Sequence, residues 1–156
     1  MLRFMLDQLS FDASIASGRK TLELEPSHFL TYVYISWAYR QAGALSEALD
    51  TAESAVRLAP NSPLASSCLG TAPAVMGRRD EARRVIDQLE RRAYVPSGIV
   101  ASIHAALGNH EDFFQWTERA SRERSAQLVF TNLRRYDLAL RADPRFTALL
   151  EQVGIG

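Results

Sequence analysis

The sequence predicts an all-α fold, an α-solenoid of antiparallel helix pairs, and the regular spacing of prolines and glycines is the observation behind it. Pro26 and Pro60 lie 34 residues apart, as do Gly43 and Gly77, and Gly108 follows 31 residues later. A fixed period of this length is typical of a repeated structural unit. A generic helical bundle with coincidental spacing is the alternative, and it leaves the matching intervals unexplained.

Each unit is predicted to contain a helix A, a tight turn at glycine, a helix B and a terminal proline. The first segment supplies only a helix B, so it forms a half unit, and a C-terminal extension with a capping helix follows the last unit. The predicted segments are the half unit 1–26, the units 29–62, 63–96 and 95–123, and the extension 124–156.

Residue chemistry supports this division. Small residues such as Ala48 and Ala82 suit places where two helices approach closely. Gly43 suits the positive-φ position that closes a helix before a turn, and Pro60 ends one unit before the next begins. Two residue pairs are predicted to cap helix B and to place an acid at its positive end: Ser46 with Glu47, and Asp80 with Glu81.

Residues 11–123 resemble the tetratricopeptide repeat, whose unit is a 34-residue helix-turn-helix. The resemblance implies a right-handed superhelix with A helices lining a concave face that holds a peptide or a helix of another protein. Pro73 and His104 stand where the family usually has an aromatic residue. Pro73 is predicted either to kink helix A and open the face for a ligand, or to be a tolerated variant or part of a short helix. His104 is predicted to be a packed core histidine rather than a ligand.

The last part of the chain is similar to the closing segment of bacterial tetratricopeptide regions. Such regions are attached to winged-helix transcription regulators, nucleotide cyclases and serine/threonine kinases, so the resemblance implies a regulatory part of a bacterial signalling or transcription protein. The matching residues are Tyr94, Val95, Pro96, Gly108, Trp116, Glu123, Arg124, Ser125, Asp143, Pro144, Arg145, Phe146, Leu149 and Leu150.

The two ends of the solenoid differ. At the C-terminal end, Pro144 can open a last helix capped by Asp143, and its apolar face is predicted to cover the final repeat. That face contains Phe146, Leu149, Leu150 and Val153. The alternative is that Phe130 to Leu140 folds into the groove. At the N-terminal end, residues 1–10 can supply only part of a helix A, so we expect a partly apolar edge that an upstream domain or another copy covers.

The predicted partner-binding groove is lined by small or apolar side chains and one cation, Arg40. We therefore expect an apolar helix or extended segment as ligand rather than an acidic peptide tail. Trp37 is the best single candidate for a contact, with ordinary packing between units as the alternative. The predicted lining residues are Leu30, Val33, Trp37, Arg40, Gln41, Leu64, Ser67, Thr71, Ala74 and Val75.

Composition argues against several classes of partner and site. The formal net charge is +0, from 18 basic and 18 acidic residues. The arginines in and after the second helix B are interleaved with acids, so we expect a solvated face with intrahelical ion pairs rather than a nucleic-acid site. They are Arg78, Arg79, Arg83, Arg84, Arg91 and Arg92. The single Cys68 excludes an internal disulfide and fits a reducing compartment. No stretch reaches the length of a membrane helix and no secretory signal is recognisable, which favours a cytoplasmic protein.

The sequence does not predict an enzyme. It contains no phosphate-binding glycine loop, no metal-ligand cluster and no nucleophile beside a plausible base, so no cofactor is expected. The predicted function is a non-catalytic scaffold that binds a protein segment, or another copy as a homodimer, through the groove or the N-terminal edge. The alternative is a small-molecule sensor with a pocket at the Pro73 kink.

Overall fold

The computed structural model describes residues 2–123 and 138–152, with side chains from 10–123 and 139–152, and every regular element in these ranges is an α-helix. The all-α prediction is confirmed for this part of the chain. The helices are α1 (Leu2–Leu24), α2 (Phe29–Ala42), α3 (Leu45–Leu58), α4 (Pro63–Val75), α5 (Arg79–Glu90), α6 (Ser97–Ala106), α7 (His110–Arg122), α8 (Leu138–Ala142) and α9 (Pro144–Gln152).

Consecutive helices from α1 to α7 pack against one another, which gives a repeat-like architecture. In addition, α2 contacts α4 and α4 contacts α6, so these three helices form one continuous layer. They are the helices that the sequence assigned to the A position of each unit. We call these three helices the A-layer. Helices α1, α3, α5 and α7 pack on it.

Three glycines close the turns between the helices of each pair. Gly43, Gly77 and Gly108 have φ of 81°, 78° and 72°, which is the left-handed conformation expected of them. No atom lies within 4 Å of a Cβ built on any of the three. Backbone conformation, rather than space, is therefore what requires glycine here.

The predicted capping of helix B is wrong in part. The residues at the N-cap of α3 and α5 are Ala44 and Arg78, and neither makes a side-chain cap hydrogen bond. Glu47 lies in the first turn of α3, and Asp80 and Glu81 in that of α5. These carboxylates therefore act on the helix dipole from inside the helix, without satisfying a terminal N–H as a cap would.

Helix α4 begins where the sequence predicts and accommodates its proline. Pro63 opens the helix, and the hydroxyl of Ser62 accepts a hydrogen bond from the Ala65 N–H at 3.4 Å. Pro73 is fully buried and lies in the last turn, since α4 ends at Val75. A proline this close to the C-terminal end removes one backbone hydrogen bond without interrupting the body of the helix.

Small residues bring neighbouring helices close together. Ala48, Ala52 and Ala55 on α3 have no exposed surface. Gly70 on α4 lies so near α6 that a Cβ there would overlap the side chain of Ile103. Ala48 was predicted to lie where the two helices of a unit approach closely, whereas Gly70 makes its close approach to the A helix of the next unit. Larger side chains fill the space around these positions.

The C-terminal helices cover the last repeat. Phe146 and Leu149 of α9 are buried together with Leu140 of α8 and with Phe113 and Phe114 of α7. Leu150 is half-buried against the same cluster, and Val153 lies outside the described residues. Most of the segment Phe130 to Leu140 also lies outside them, but its last residue, Leu140, packs in this cluster and not against α2.

An arginine fixes the start of α9. The Arg145 N–H donates to Asp143 Oδ1 at 2.9 Å, as expected for a capping aspartate, and the Arg145 guanidinium holds the pKa of the Asp143 carboxyl below its usual value. The guanidinium also donates to Glu111 Oε2 at 2.9 Å and lies 4.1 Å from the centre of the Phe114 ring. Both contacts connect α9 to α7.

The N-terminal end differs from the prediction. Residues 2–24 form one continuous helix, so residues 2–10 extend helix B instead of forming part of a separate helix A. Over residues 10–24 the exposed side chains are polar or small, except for Leu24, which is 85% exposed. The apolar residue Phe11 is buried. The expected apolar edge is therefore not present on this part of α1.

Candidate functional site

Five of the predicted groove residues lie on α2, and one of them belongs to the core. Val33 is 7% exposed and packs with Cys68 in a cluster between α2, α3 and α4. The four half-buried residues are Leu30, Trp37, Arg40 and Gln41. These four offer part of their surface to a ligand, whereas Val33 offers almost none.

The five predicted groove residues on α4 divide between interior and surface. Thr71 and Ala74 are buried, and the Thr71 hydroxyl donates to the Ser67 carbonyl at 2.8 Å. Leu64 and Ser67 are half-buried, and Val75 is 45% exposed. Among these five residues, accessible apolar surface is therefore found at the two ends of the helix, at Leu64 and Val75.

Trp37 takes part in packing between the first two helices. Its ring meets the ring of Phe11 edge to face, with centroids 5.9 Å apart and planes at 82°. Phe11 is 7% exposed, so this aromatic pair forms part of the interface between α1 and α2. The geometry favours the packing interpretation of Trp37 over that of an exposed binding contact.

An open groove lies between α1 and α2, with a volume of about 570 Å³. We call it the α1–α2 groove. Its lining residues are Ser10, Ala13, Ser14, Ser17, Gly18 and Thr21 of α1 and Thr31, Tyr34 and Ile35 of α2. The side chains from α1 are all small, and Tyr34 is 66% exposed at the edge.

The contacts within the A-layer explain why Tyr34 is exposed. Cys68 Sγ lies 3.6 Å from the Val33 carbonyl, and Ser67 Oγ lies 3.3 Å from Ser102 Oγ; each pair is 35 residues apart. Each A helix thus contacts the preceding one through residues near its middle. Tyr34 stands 34 residues before Cys68, at the same place on its helix. No described helix packs on Tyr34 in the way that α2 packs on Cys68 of α4.

A second cleft, of about 380 Å³, lies between α5, α6 and α7, and we call it the His104 cleft. Its lining residues are Arg83, Ile86, Asp87, Glu90, His104, Asn109, Asp112 and Trp116. The His104 side chain is 13% exposed, so it is neither a core residue nor a solvated one. The cleft is polar and carries charges of both signs.

Two arginines that the sequence placed on a solvated face connect neighbouring units instead. The Arg92 guanidinium donates to the backbone carbonyls of residues 60–61 and to Ser66 Oγ, each at 3.3 Å. Arg79 Nη1 donates to the Leu107 carbonyl at 2.8 Å. One arginine thus reaches back to the preceding unit and the other reaches forward to the next.

The thiol of Cys68 is held in its neutral form. Burial raises its pKa to about 11, against the smaller opposing effects of the Arg40 charge and the Ser36 hydroxyl. Nucleophilic chemistry requires the thiolate, so this environment suppresses it. Within residues 2–123 and 138–152, no group of three or more His, Cys, Asp and Glu side chains is placed to hold a metal ion. No helix in the same ranges is long and apolar enough to cross a membrane.

The α1–α2 groove was missed by the sequence analysis, although part of its signal was available. The i, i+4, i+7 spacing of one helix face relates Leu30, Tyr34 and Trp37. Tyr34 could therefore have been predicted to share a face with the other two. The small residues of α1 recur along one face in the same way. Whether they line a groove depends on where α2 packs against α1, and helix periodicity alone does not show this.

Among known proteins, no family model matches this chain and no curated protein is significantly similar to it in sequence.

Proposed function

We propose that this chain is a non-catalytic scaffold for protein–protein interaction, built as a tetratricopeptide-like solenoid, and that it binds a helix of another polypeptide in the α1–α2 groove. The right-handed superhelix, the antiparallel pairing within units and a regulatory role in a bacterial cytoplasmic signalling or transcription protein are parts of the same proposal. The open groove beside the exposed Tyr34 is the observation that carries it.

Packing elsewhere in the chain supports a helix as the ligand. Helix α4 packs against both α5 and α6, and α2 packs against both α3 and α4. Each of these A helices thus packs on the helix that follows it and on the next A helix. A helix that packed on α1 and α2 in the same way would fill the α1–α2 groove. Among the described helices, only α2 makes more than marginal contact with α1, so this place is open.

The chemistry of the groove suits the close approach of a helix. The Ser14 hydroxyl donates to the Ser10 carbonyl at 2.8 Å and the Thr21 hydroxyl to the Ser17 carbonyl at 3.2 Å, so both are satisfied within α1. Hydroxyls that are satisfied in this way let another backbone come near at little desolvation cost. Tyr34 supplies an aromatic anchor of the kind that dominates interface energetics.

The groove fits a helix with one apolar face better than an acidic peptide. None of its nine lining residues is charged. The predicted concave face of α2 and α4 is a second surface for the same partner, through Leu30 and the exposed Val75. The small-molecule alternative placed a pocket at Pro73, but that residue is buried and α4 lines neither of the two clefts described above.

Light scattering on the sized protein distinguishes the source of the helix. The chain of 17.4 kDa is compared with Ser17→Trp, which fills the groove, and with Ala16→Trp, whose exposed side chain does not line it. If a second copy supplies the helix, the native chain and Ala16→Trp are dimers and Ser17→Trp is a monomer. Three monomers exclude a second copy as the source and leave a helix of a different protein as the proposed ligand. A dimer that survives Ser17→Trp places self-association elsewhere and contradicts the use of the groove between copies.

A further inference from the structure

His104 in the His104 cleft has two neighbours that compete for the same ring nitrogen. Its Nδ1 lies 3.4 Å from Asn109 Nδ2 and 3.6 Å from Asp112 Oδ2. An amide nitrogen is a donor and a carboxylate oxygen is an acceptor, so the two neighbours require opposite protonation of Nδ1. The arrangement therefore has one state for the neutral ring and another for the protonated ring.

The orientation of Asn109 is fixed by its other partner. Arg79 Nη2 donates to Asn109 Oδ1 at 2.9 Å, and a guanidinium has donors only. The amide oxygen must therefore face Arg79, which directs the Nδ2 donor toward His104. The Nδ1 of His104 then accepts, and the neutral ring carries its proton on Nε2.

Adding a proton to His104 removes this acceptor. The Nδ1–H of the imidazolium cannot accept from Asn109, whereas the carboxylate of Asp112 can accept from it and carries the opposite charge. Rotation of the Asn109 amide does not help, because it would turn Nδ2 toward the donors of Arg79. Asn109 therefore loses one of its two side-chain hydrogen bonds whenever the ring is protonated, whereas its backbone N–H still donates to the His104 carbonyl at 2.9 Å.

Charged groups on two helices surround the ring. Glu90 and Arg83 act on it from α5 and Asp112 acts from α7, and Asp87 also lines the cleft. Helix α4 contributes no residue to the lining. Burial outweighs the two carboxylates and lowers the pKa of His104 below its ordinary value of 6.5, so the neutral arrangement prevails at neutral pH.

We propose that His104 is a proton-operated switch at the junction of α5, α6 and α7. The neutral ring holds Asn109, and through it the α6–α7 turn, against Arg79. The protonated ring gives up the side-chain amide of Asn109 and pairs with Asp112, while the amide oxygen of Asn109 still accepts from Arg79. Arg79 keeps its bond to the Leu107 carbonyl in both states, so acidification loosens the connection between the last two units without severing it.

The tautomer and titration of His104 in the ¹⁵N-labelled chain test this proposal by NMR. At pH 8 we expect the Nε2–H tautomer. On acidification we expect one midpoint below 6.5, followed with the same midpoint by the side-chain amide signals of Asn109. The Nδ1–H tautomer at pH 8, or Asn109 signals that do not follow the imidazole, would overturn the switch. His28→Gln and His110→Gln, made together, leave His104 as the sole histidine and assign its signals.

Two charge variants separate a specific contact from general electrostatics. Asp112→Asn should lower the proton affinity of His104 by roughly tenfold, because it removes the negative charge that pairs with the protonated ring. Asp87→Asn removes an equal charge from the same cleft without a contact to Nδ1, and it should have a smaller effect. Asn109→Asp should raise the affinity, because a carboxylate accepts from both Arg79 and the imidazolium. Equal effects of the first two variants, or a lowered affinity in the third, would refute the assigned contacts.

Discussion

At the scale of single residues, the main surprise is the role of the arginines in and after α5. Interleaved acids made a solvated surface the natural expectation, and Arg78 does pair with Glu81 at 3.8 Å in an exposed position. Arg79 and Arg92 differ because each reaches backbone carbonyls of a neighbouring unit. Helix periodicity gives the face on which a residue lies, but it does not show which loop of another unit packs beside that face.

Arg92→Ala should destabilise the protein. It removes three donated hydrogen bonds to residues 60–61 and Ser66, which together should cost about 1–2 kcal/mol of unfolding free energy. Urea denaturation measures the change. Arg91→Ala is the matched control, since Arg91 is exposed, and it should stay within about 0.5 kcal/mol of the native chain. Equal losses in the two variants would show that the contacts of Arg92 contribute nothing specific.

Cys68 should make stability fall at alkaline pH. The thiol ionises near 9.0 in the unfolded chain and at about 11 in the folded protein. Stabilisation by the neutral thiol is therefore complete below pH 9 and is lost as pH rises from 9 through 11, by on the order of 3 kcal/mol in total. The measurement is unfolding free energy against pH for the native chain and for Cys68→Ala. If the two slopes between pH 9 and 11 are the same, the thiol does not ionise with the expected difference.

At the scale of helices, most of the fold was predictable because glycine and proline mark the ends of elements. Gly43, Gly77 and Gly108 take the conformation that was expected of them. The separate part of a helix A expected in residues 1–10 was wrong, although residues 2–24 contain no proline and their only glycine is Gly18. With nothing to break the helix near residue 10, continuation into a single helix is the simpler outcome.

The contact of α4 with α6 should depend on the absence of a side chain at position 70. Gly70→Ala would gain helix propensity, but its Cβ would overlap the fully buried Ile103. We expect a net loss of about 1–3 kcal/mol, because a packed core strains to admit an extra methyl group. Thermal and urea denaturation measure it.

A second substitution tests the cause of that loss. Ile103→Val removes Cδ1, the atom nearest to the new Cβ, and keeps Cγ1 at 2.7 Å, so it relieves part of the overlap. It should therefore cost less in the Gly70→Ala background than in the native chain. Strictly additive losses would show that overlap with Cδ1 does not cause the loss.

At the scale of the whole molecule, the candidate binding surface was only partly predictable. Leu30 and Val75 keep accessible surface as expected, whereas Val33, Thr71 and Ala74 are buried by neighbouring helices. Exposure on an A helix depends on how deeply the next helix packs and on whether one is present at all. Tyr34 shows this most clearly, because its exposure comes from the open place beside α1.

Binding of a helix in the α1–α2 groove is the central claim, and fluorescence anisotropy with a labelled, covalently constrained helical peptide tests it most directly. The peptide has the sequence of Phe29–Ala42, the chain's own first A helix. We expect saturable binding to the native chain and to Ala16→Trp, and an affinity roughly tenfold or more lower for Ser17→Trp. Absence of saturable binding to the native chain, or equal affinities for the two tryptophan variants, would contradict the claim.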